Sequence, residues 1–347
     1  MTGKISVNIC FYGLNRSLGT TIYSLNKSLF GGLSSIGVEF KAYGFFSRPE
    51  ELANTRSGEF GILPEDNEAE LIEFDELDYI DQGVFDDTIP WAEVFEFGDF
   101  YEQVLEPSDL LISDSSAKNI FRSLFCLKSS YGLVPDERRQ YPSIFLRPDL
   151  EILSEIDWSF YLSLLGKKPR TYAFGKTDGV ALVPTWHSWD GFNDRFAICT
   201  PGNASSAYAN RFDGLLPYIK MTRKPIHPES FLLHLLQASH VEILPLIAEC
   251  MSRIRGNCEP QNEDFAQGAK IYSTQTETLS CLHKMLKESR QELERVKEDY
   301  DITMKQLLQV QEELEQYYFL SKGLDSVSKR YLSLASRCVA VMAALED

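Results

Sequence analysis

The sequence predicts an α/β protein, a mostly parallel sheet flanked by helices, with a long coiled-coil helix at its C-terminal end. Three observations carry this. The strand-like run Ile5 to Phe11 is followed by a glycine turn, a helix-like run and a second strand-like run, Gly37 to Phe46. A βαβ start of this length implies parallel strands. A short apolar run, Ser143-Ile144-Phe145-Leu146, breaks at Arg147-Pro148-Asp149, as a buried strand does where proline ends its pairing. Far down the chain, apolar positions recur alternately three and four apart, the spacing of a coiled-coil seam.

The first strand leads into Tyr12-Gly13-Leu14-Asn15-Arg16-Ser17 and a helix-like run from Ser17 to Leu33. Asn15 or Ser17 can cap that helix. A strand, a glycine turn and a helix N-terminus together make an anion site, and Arg16 adds a fixed positive charge. An ordinary first βα turn has the same parts. There is no GxGxxG, so the dinucleotide fingerprint of a nicotinamide oxidoreductase is absent.

Residues 57–117 hold nineteen acids and no Lys or Arg. They read as a solvated, partly irregular insertion, with short helices or strands at Leu71 to Leu77 and Trp91 to Tyr101 on the sheet's flank. Metal attraction and docking of a basic partner are the functional readings of so much acid. Ser115 to Tyr131 is an amphipathic helix, with Ile120, Leu124 and Leu127 at helical spacing. Lys118 and Arg122 lie one turn apart on it, facing either a phosphate or solvent.

Arg147 and Asp149 stand at the carboxyl edge of the central strand, where open α/β sheets bind ligands. Asp149 is a candidate ligand for a divalent cation and Arg147 for a phosphate; a simple turn would use the same residues. Ile152 to Leu165 reads as a helix, and Thr171 to Gly175 and Val180 to Pro184 as short strands. The loop that follows holds Trp186, Trp189 and Asn193. Exposed tryptophan can stack on a sugar ring while neighbours bond its hydroxyls; equally, the two rings can close the core. His187 has no second histidine at ligand spacing. Further helices are expected at Ser205 to Ile219 and Glu229 to Ala238, where Pro228 suits a first turn, and a strand at Val241 to Ile247. If Met251 to Gly256 is extended, Arg253 and Arg255 share a face.

A polar linker is expected at 259–275, a coiled coil at 276–325 and a last helix at 326–347. From Leu279 to Tyr317, ten of twelve seam positions are apolar. One such helix alone has nothing to bury its stripe against, so a homo-oligomer is expected.

The net charge is −17 over 347 residues, and without residues 57–117 the rest of the chain carries +2. No basic face for nucleic acid is apparent in that balance. No run approaches the ~20 apolar residues of a membrane span. Seven cysteines without a CxxC pair fit a reducing cytoplasm and no structural zinc.

Phe11 to Leu18 (FYGLNRSL), Ala117 to Lys128 (AKNIFRSLFCLK), Leu146 to Leu150 (LRPDL), Phe192 to Ile198 (FNDRFAI), Ile226 to Leu236 (IHPESFLLHLL) and Ser252 to Asn257 (SRIRGN) occur in that order. This order resembles a bacterial glycosyltransferase-like family linked to surface-polysaccharide and lipopolysaccharide synthesis. The similarity covers about residues 5 to 257. The tail, Gln309 to Leu324, resembles coiled-coil tails on assorted bacterial glycosyltransferases. The resemblance implies a GT-A, Rossmann-like nucleotide-sugar domain over 1–258. It implies a nucleoside-diphosphate sugar donor, a glycan acceptor and, in such enzymes, Mn²⁺ or Mg²⁺ held by Asp-x-Asp at a central strand end. Here that place reads Arg147-Pro148-Asp149, one carboxylate short, which leaves metal dependence open. Gly13, Asn15, Arg16, Ser17, Lys118, Arg122, Arg147, Arg253 and Arg255 are then the candidates for holding the donor. Asp194 and Glu229 are the candidate bases; a turn residue and a helix N-terminal residue are the plain alternatives. A catalytically degenerate glycan- or partner-binding scaffold, oligomerised by its coiled coil, is the competing class.

Overall fold

Every residue of the first strand is buried, because its side chains meet a helix layer on each face of the sheet. The structure, a computed structural model, describes residues 5–54, 59–61, 68–97, 113–165, 171–172, 175–188, 191–223, 226–246, 250–256, 258–261 and 273–346. The first strand, β1 (Ser6–Gly13), runs into α1 (Leu18–Ser24), a π-helical turn over Leu25–Phe30, and α2 (Gly31–Ser35). These form the one helical run expected from Ser17. β2 (Glu39–Arg48) then lies parallel to β1, with Ser6 opposite Glu39.

The acidic stretch is more than an insertion. After a small hairpin of β3 (Leu52–Asn54) and β4 (Glu59–Gly61), it supplies β5 (Glu76–Asp81), which pairs parallel to β2 as the sheet's edge. Acids suit an edge strand, where charge blunts pairing with another chain. Two short helices follow, α3 (Gln82–Asp86) and α4 (Trp91–Phe97). α5 (Ser113–Gly132) packs on β1 and β2.

β6 (Ser143–Leu146) pairs parallel to the other side of β1. The helix expected from Ile152 starts later, because β7 (Leu150–Ile152) is a strand; α6 (Trp158–Leu165) comes after it. A two-residue hairpin of β8 (Thr171–Tyr172) and β9 (Gly175–Lys176) precedes β10 (Val180–Pro184) and β11 (Phe196–Cys199). The helix expected at Ser205 to Ile219 is two, α7 (Asn203–Ala209) and α8 (Arg211–Thr222), divided at Asn210. α9 (Pro228–Ala238), β12 (Glu242–Leu246) and β13 (Met251–Arg253) complete this part.

The main sheet has the order β12-β10-β11-β6-β1-β2-β5. Only β11 runs antiparallel to its neighbours. Along β1, Val7, Ile9 and Phe11 face a core shared with α1 and α6, and Cys10 and Tyr12 face one shared with α5, α7, α8 and α9. That alternation is the period-two rule of a strand buried on both faces.

Residues 1–273 form one compact unit and 274–347 a second. The second is a single helix, α10 (Ser273–Glu346), unbroken where a coiled coil and a separate last helix were expected. Residues 259–261, expected to begin the linker, fold back on β13: the Arg255 N–H donates to the Glu259 carbonyl, and Ile254 bridges Pro260. Among the described residues no helix is long and apolar enough to cross a membrane.

Candidate functional site

The carboxyl ends of β1, β2, β5 and β6 open on one pocket of about 330 Å³. Gly13, Ser47, Gln82 and Arg147 line it from those ends. β2 lies on one side of β1 and β6 on the other, so the crevice sits where the order of strands reverses, the usual ligand position in open α/β sheets. Gly13 has φ of +100°, a backbone state that needs glycine, and the chain beyond it continues along the pocket through Leu14 and Arg16.

One buried carboxylate organises the floor. Arg147 donates Nε to Oδ1 of Asp149 at 2.9 Å and Nη2 to Oδ2 at 2.6 Å. Arg16 donates Nη2 to Oδ2 at 2.8 Å. Asp149 has no exposed surface. Its burial alone would raise its pKa, but Arg147, Arg16 and Arg253 outweigh that and hold it well below the usual carboxylate range. Burial likewise works against the charge on Arg147, and Asp149 more than restores it.

α1 is stitched to the same floor. Thr21 donates to the Pro148 carbonyl at 2.6 Å, the Ile152 N–H donates to Ser24 at 3.0 Å, and Ser17 donates to the Ile254 carbonyl at 3.2 Å. Ser17 therefore ties backbone together and is buried; Asn15 lies between two pocket residues, Leu14 and Arg16, without lining the pocket itself.

The opposite wall comes from the antiparallel pair of β7 and β13, which puts Arg253 across from Leu150. The Ile254 N–H donates to the Asp149 carbonyl at 2.8 Å. Arg253 and Arg255 both donate to Oε1 of Gln261, Arg253 through Nε at 2.8 Å and again through Nη2, Arg255 through Nη2 at 2.8 Å. One amide oxygen thus orients two guanidinium groups. Burial, and then the like charges of Arg195, Arg147 and Arg255, work against the charge of Arg253. A guanidinium does not give up its proton in proteins, so that unfavourable energy becomes attraction for an anion.

On the third side, Arg122 pairs with Asp86 of α3 through two hydrogen bonds, of 2.9 and 2.5 Å, and Lys118 reaches the same carboxylate at 3.7 Å. Gly13, Arg16, Lys118, Arg122, Arg147, Arg253 and Arg255, scattered over more than two hundred residues of sequence, therefore face one space.

Asp194 lies at the edge of this arrangement. β11 opposes β6 with Phe196 across from Leu146, so Asp194 precedes the strand beside the Arg147 end. Its carbonyl accepts from the hydroxyls of Tyr12 at 2.7 Å and Tyr208 at 3.0 Å, and from Arg211 at 3.5 Å. The residue is half-buried, and its carboxylate lies within electrostatic reach of Arg147 and Arg211. Burial pushes the Tyr12 phenol up to about 12; Arg211 lowers it and Asp194 raises it. The hydroxyl stays a donor, and the Asp194 backbone stays clamped.

Four further expectations change. Asp149 was a candidate metal ligand, but both its oxygens are held by guanidinium groups. Among the described residues there is no cluster of three or more His, Cys, Asp or Glu placed for a metal. The donor set here does not fit a divalent cation. Glu229 was a candidate base; it is buried at the start of α9, pairs with His227 at 3.0 Å and does not line the pocket. Its carbonyl accepts from the Phe192 N–H at 3.1 Å. Trp186 is 2% exposed and packs in the core, with the Arg195 guanidinium over its ring. It offers no face to a sugar. Asn193 is 1% exposed and spends its amide on the Trp186 carbonyl and the Arg195 N–H. Trp189 lies outside the described residues.

Sequence reasoning missed Gln261, Asp86 and the Tyr12–Tyr208–Arg211 clamp. Gln261 and Asp86 lay in stretches read as linker and insertion. Arg211, almost fully buried, had no local signal.

No family model matches the chain, and no curated protein matches it. Among solved structures it is similar to the apo form of mouse xyloside xylosyltransferase 1, at 11% sequence identity and a TM-score of 0.34, over 70% of this chain and 86% of that one. A likeness that loose carries no argument about substrate or residues.

Proposed function

We propose that the pocket holds the diphosphate of a nucleoside-diphosphate sugar and that the protein is a glycosyltransferase acting on a glycan acceptor. The observation that carries this reading is the meeting of Arg16, Arg147, Arg253 and Arg255, with Lys118 and Arg122, at the carboxyl edge of a parallel sheet. Arginine forks match phosphate oxygens in pairs. Helix and strand ends converge there as they do in α/β nucleotide sites.

In this reading the bond from the sugar's anomeric carbon to the diphosphate oxygen breaks, and its electron pair leaves with the diphosphate. The acceptor oxygen forms the new bond to that carbon, and its proton passes to a carboxylate. The leaving group gains negative charge as it departs, and fixed arginines favour that charge most when it is greatest. Asp194 is the carboxylate best placed to take the proton. It lies within electrostatic reach of Arg147, its backbone is clamped, and the residue is partly exposed. Surface-polysaccharide synthesis in the cytoplasm is the setting that the sequence resemblance suggests.

The second reading, a degenerate binding scaffold, is favoured by one observation: Glu229 is withdrawn from the pocket and paired with His227, leaving a single candidate base. Thermal-shift measurements with nucleoside diphosphates and nucleotide sugars test binding. A ligand at 100 times its Kd stabilises the fold by about 2.7 kcal/mol. Absence of any shift across the set would sink the donor-site reading. Binding of a nucleotide sugar without its hydrolysis or transfer to any glycan supplied would favour the scaffold.

A further inference from the structure

We infer that this pocket binds its diphosphate without a divalent cation, the arginines held by Asp149 and Gln261 standing where a metal ion would otherwise neutralise the charge. The inference rests on the donor-site reading above and concerns how that site works.

Four features converge. First, the carboxylate at the strand end is spent. Each oxygen of Asp149 accepts from a guanidinium, one of them from two, and none of its surface is open. A magnesium ion needs oxygen ligands at about 2.0–2.1 Å in near-octahedral array, and manganese likewise takes an octahedral set of oxygens. It would have to displace Arg16 and Arg147 and then sit among the charges it displaced. Second, among the described residues the other acids near the pocket are committed or are single carboxylates, Asp194 at its edge among them. Asp86 is held by Arg122 and Lys118, and Glu51 on the rim gives no multidentate set. Third, positive charge is in excess among the described residues. Six basic side chains and one acid, Glu51, line the pocket, and Asp149 and Asp86 pair with four of the six. Arg253 feels Arg195, Arg147 and Arg255 as like charges. A second cation would add to that repulsion, and a polyanion removes it. Fourth, the cations are fixed before any ligand arrives. Asp149 sets two guanidinium groups and Gln261 sets two more. Preorganised donors lose little freedom on binding, which is what a metal ion otherwise supplies.

Isothermal titration of the full-length protein tests this, with inorganic pyrophosphate, UDP, GDP and ADP as probes. Each is run in EDTA and again in excess Mn²⁺ or Mg²⁺. The expected result is binding of at least one probe in EDTA, with Kd changed less than about threefold by metal. Arg253→Ala should weaken that binding by tenfold or more. Lys118→Gln, a more exposed position, gives the same reading if Arg253→Ala fails to fold. Binding only with metal, or tightened by more than about tenfold by it, overturns the inference and leaves the donor-site reading standing. No binding under either condition overturns both. Metal-free binding that neither variant weakens places the anion elsewhere and overturns the inference too.

Discussion

Arg147 grips Asp149 with both prongs of its guanidinium, Nε on Oδ1 at 2.9 Å and Nη2 on Oδ2 at 2.6 Å. The two residues flank Pro148, and the local turn makes the pair possible: the Leu150 N–H donates back to the Arg147 carbonyl. Arg16 completes the group from 133 positions away. The sequence offered Asp149 as a ligand for something outside the chain; the fold uses it to aim two arginines.

Asp149→Asn is therefore expected to do two things. Removing one partner of a buried ion pair leaves uncompensated charge and costs about 3–5 kcal/mol. It also frees Arg147 and Arg16 to move, so diphosphate-dependent stabilisation should disappear. Acid denaturation separates these effects. The Asp149 pKa is depressed in the folded state, so its contribution is complete above its ordinary value and is lost as pH falls below that toward the folded value. Urea titrations at neutral and acid pH should show wild type losing stability on acidification, and the variant losing less. Equal loss in both would mean that Asp149 does not carry the charge linkage.

Asp194→Asn keeps shape and backbone clamp but removes basicity. Turnover should fall by about 10²–10⁴-fold with donor binding retained. A wild-type rate would clear Asp194 of the role of base. Tyr12→Phe is the companion test. It removes one of the bonds to the Asp194 carbonyl, so it should lower turnover less while donor affinity stays the same.

Glu229→Gln should leave turnover near wild type and cost stability alone, about 1 kcal/mol for the altered close contact of its buried carboxylate with His227 Nδ1 at 3.0 Å. Gly191→Ala should cost more. A Cβ at Gly191 would stand 1.9 Å from the Glu229 carbonyl oxygen, so backbone must shift, at roughly 1–3 kcal/mol or above. Denaturant midpoints of the two variants order them. A large drop in turnover for Glu229→Gln with unchanged stability would return Glu229 to the list of bases.

Strand ends were legible in the sequence because each follows a short apolar run, and the ligand edge of a parallel sheet is set by those ends. That is why Gly13 and Arg147 could be singled out. Arg253 and Arg255 could be paired because alternation fixes faces. What was not legible depends on packing between distant segments. Trp186 looks the same in sequence whether it covers the core or a sugar; only the core cluster it joins in the folded chain decides. Asp86 meets α5 because β5 joins the sheet, and an acid-rich stretch does not advertise a strand. The Gln261 contacts need the chain to turn back on β13, which a polar run gives no sign of.

The helix α10 is long and carries a continuous apolar stripe. At about 1.5 Å per residue its 74 residues span about 110 Å. Val296, Leu307, Val310 and Leu314 are each more than half exposed. Its polar face carries the usual four-apart pairs, Gln309 with Glu313 and Lys329 with Asp325, worth only a few tenths of a kcal/mol each. Such pairs do not offset an apolar stripe left in water along so long a helix. The helix continues without interruption past Tyr317, and Leu324 and Tyr331 stay at heptad distance from that position and from one another. A regular seam of this length matches a second copy of itself better than a globular surface, which would accept a broader stripe. Full-length protein is therefore expected to dimerise, and a chain ending near Gly268 to remain folded and monomeric. Light scattering on both gives mass per particle. A full-length monomer would mean that the seam is covered by its own chain or reserved for a different partner. A truncated dimer would place self-association in the α/β unit.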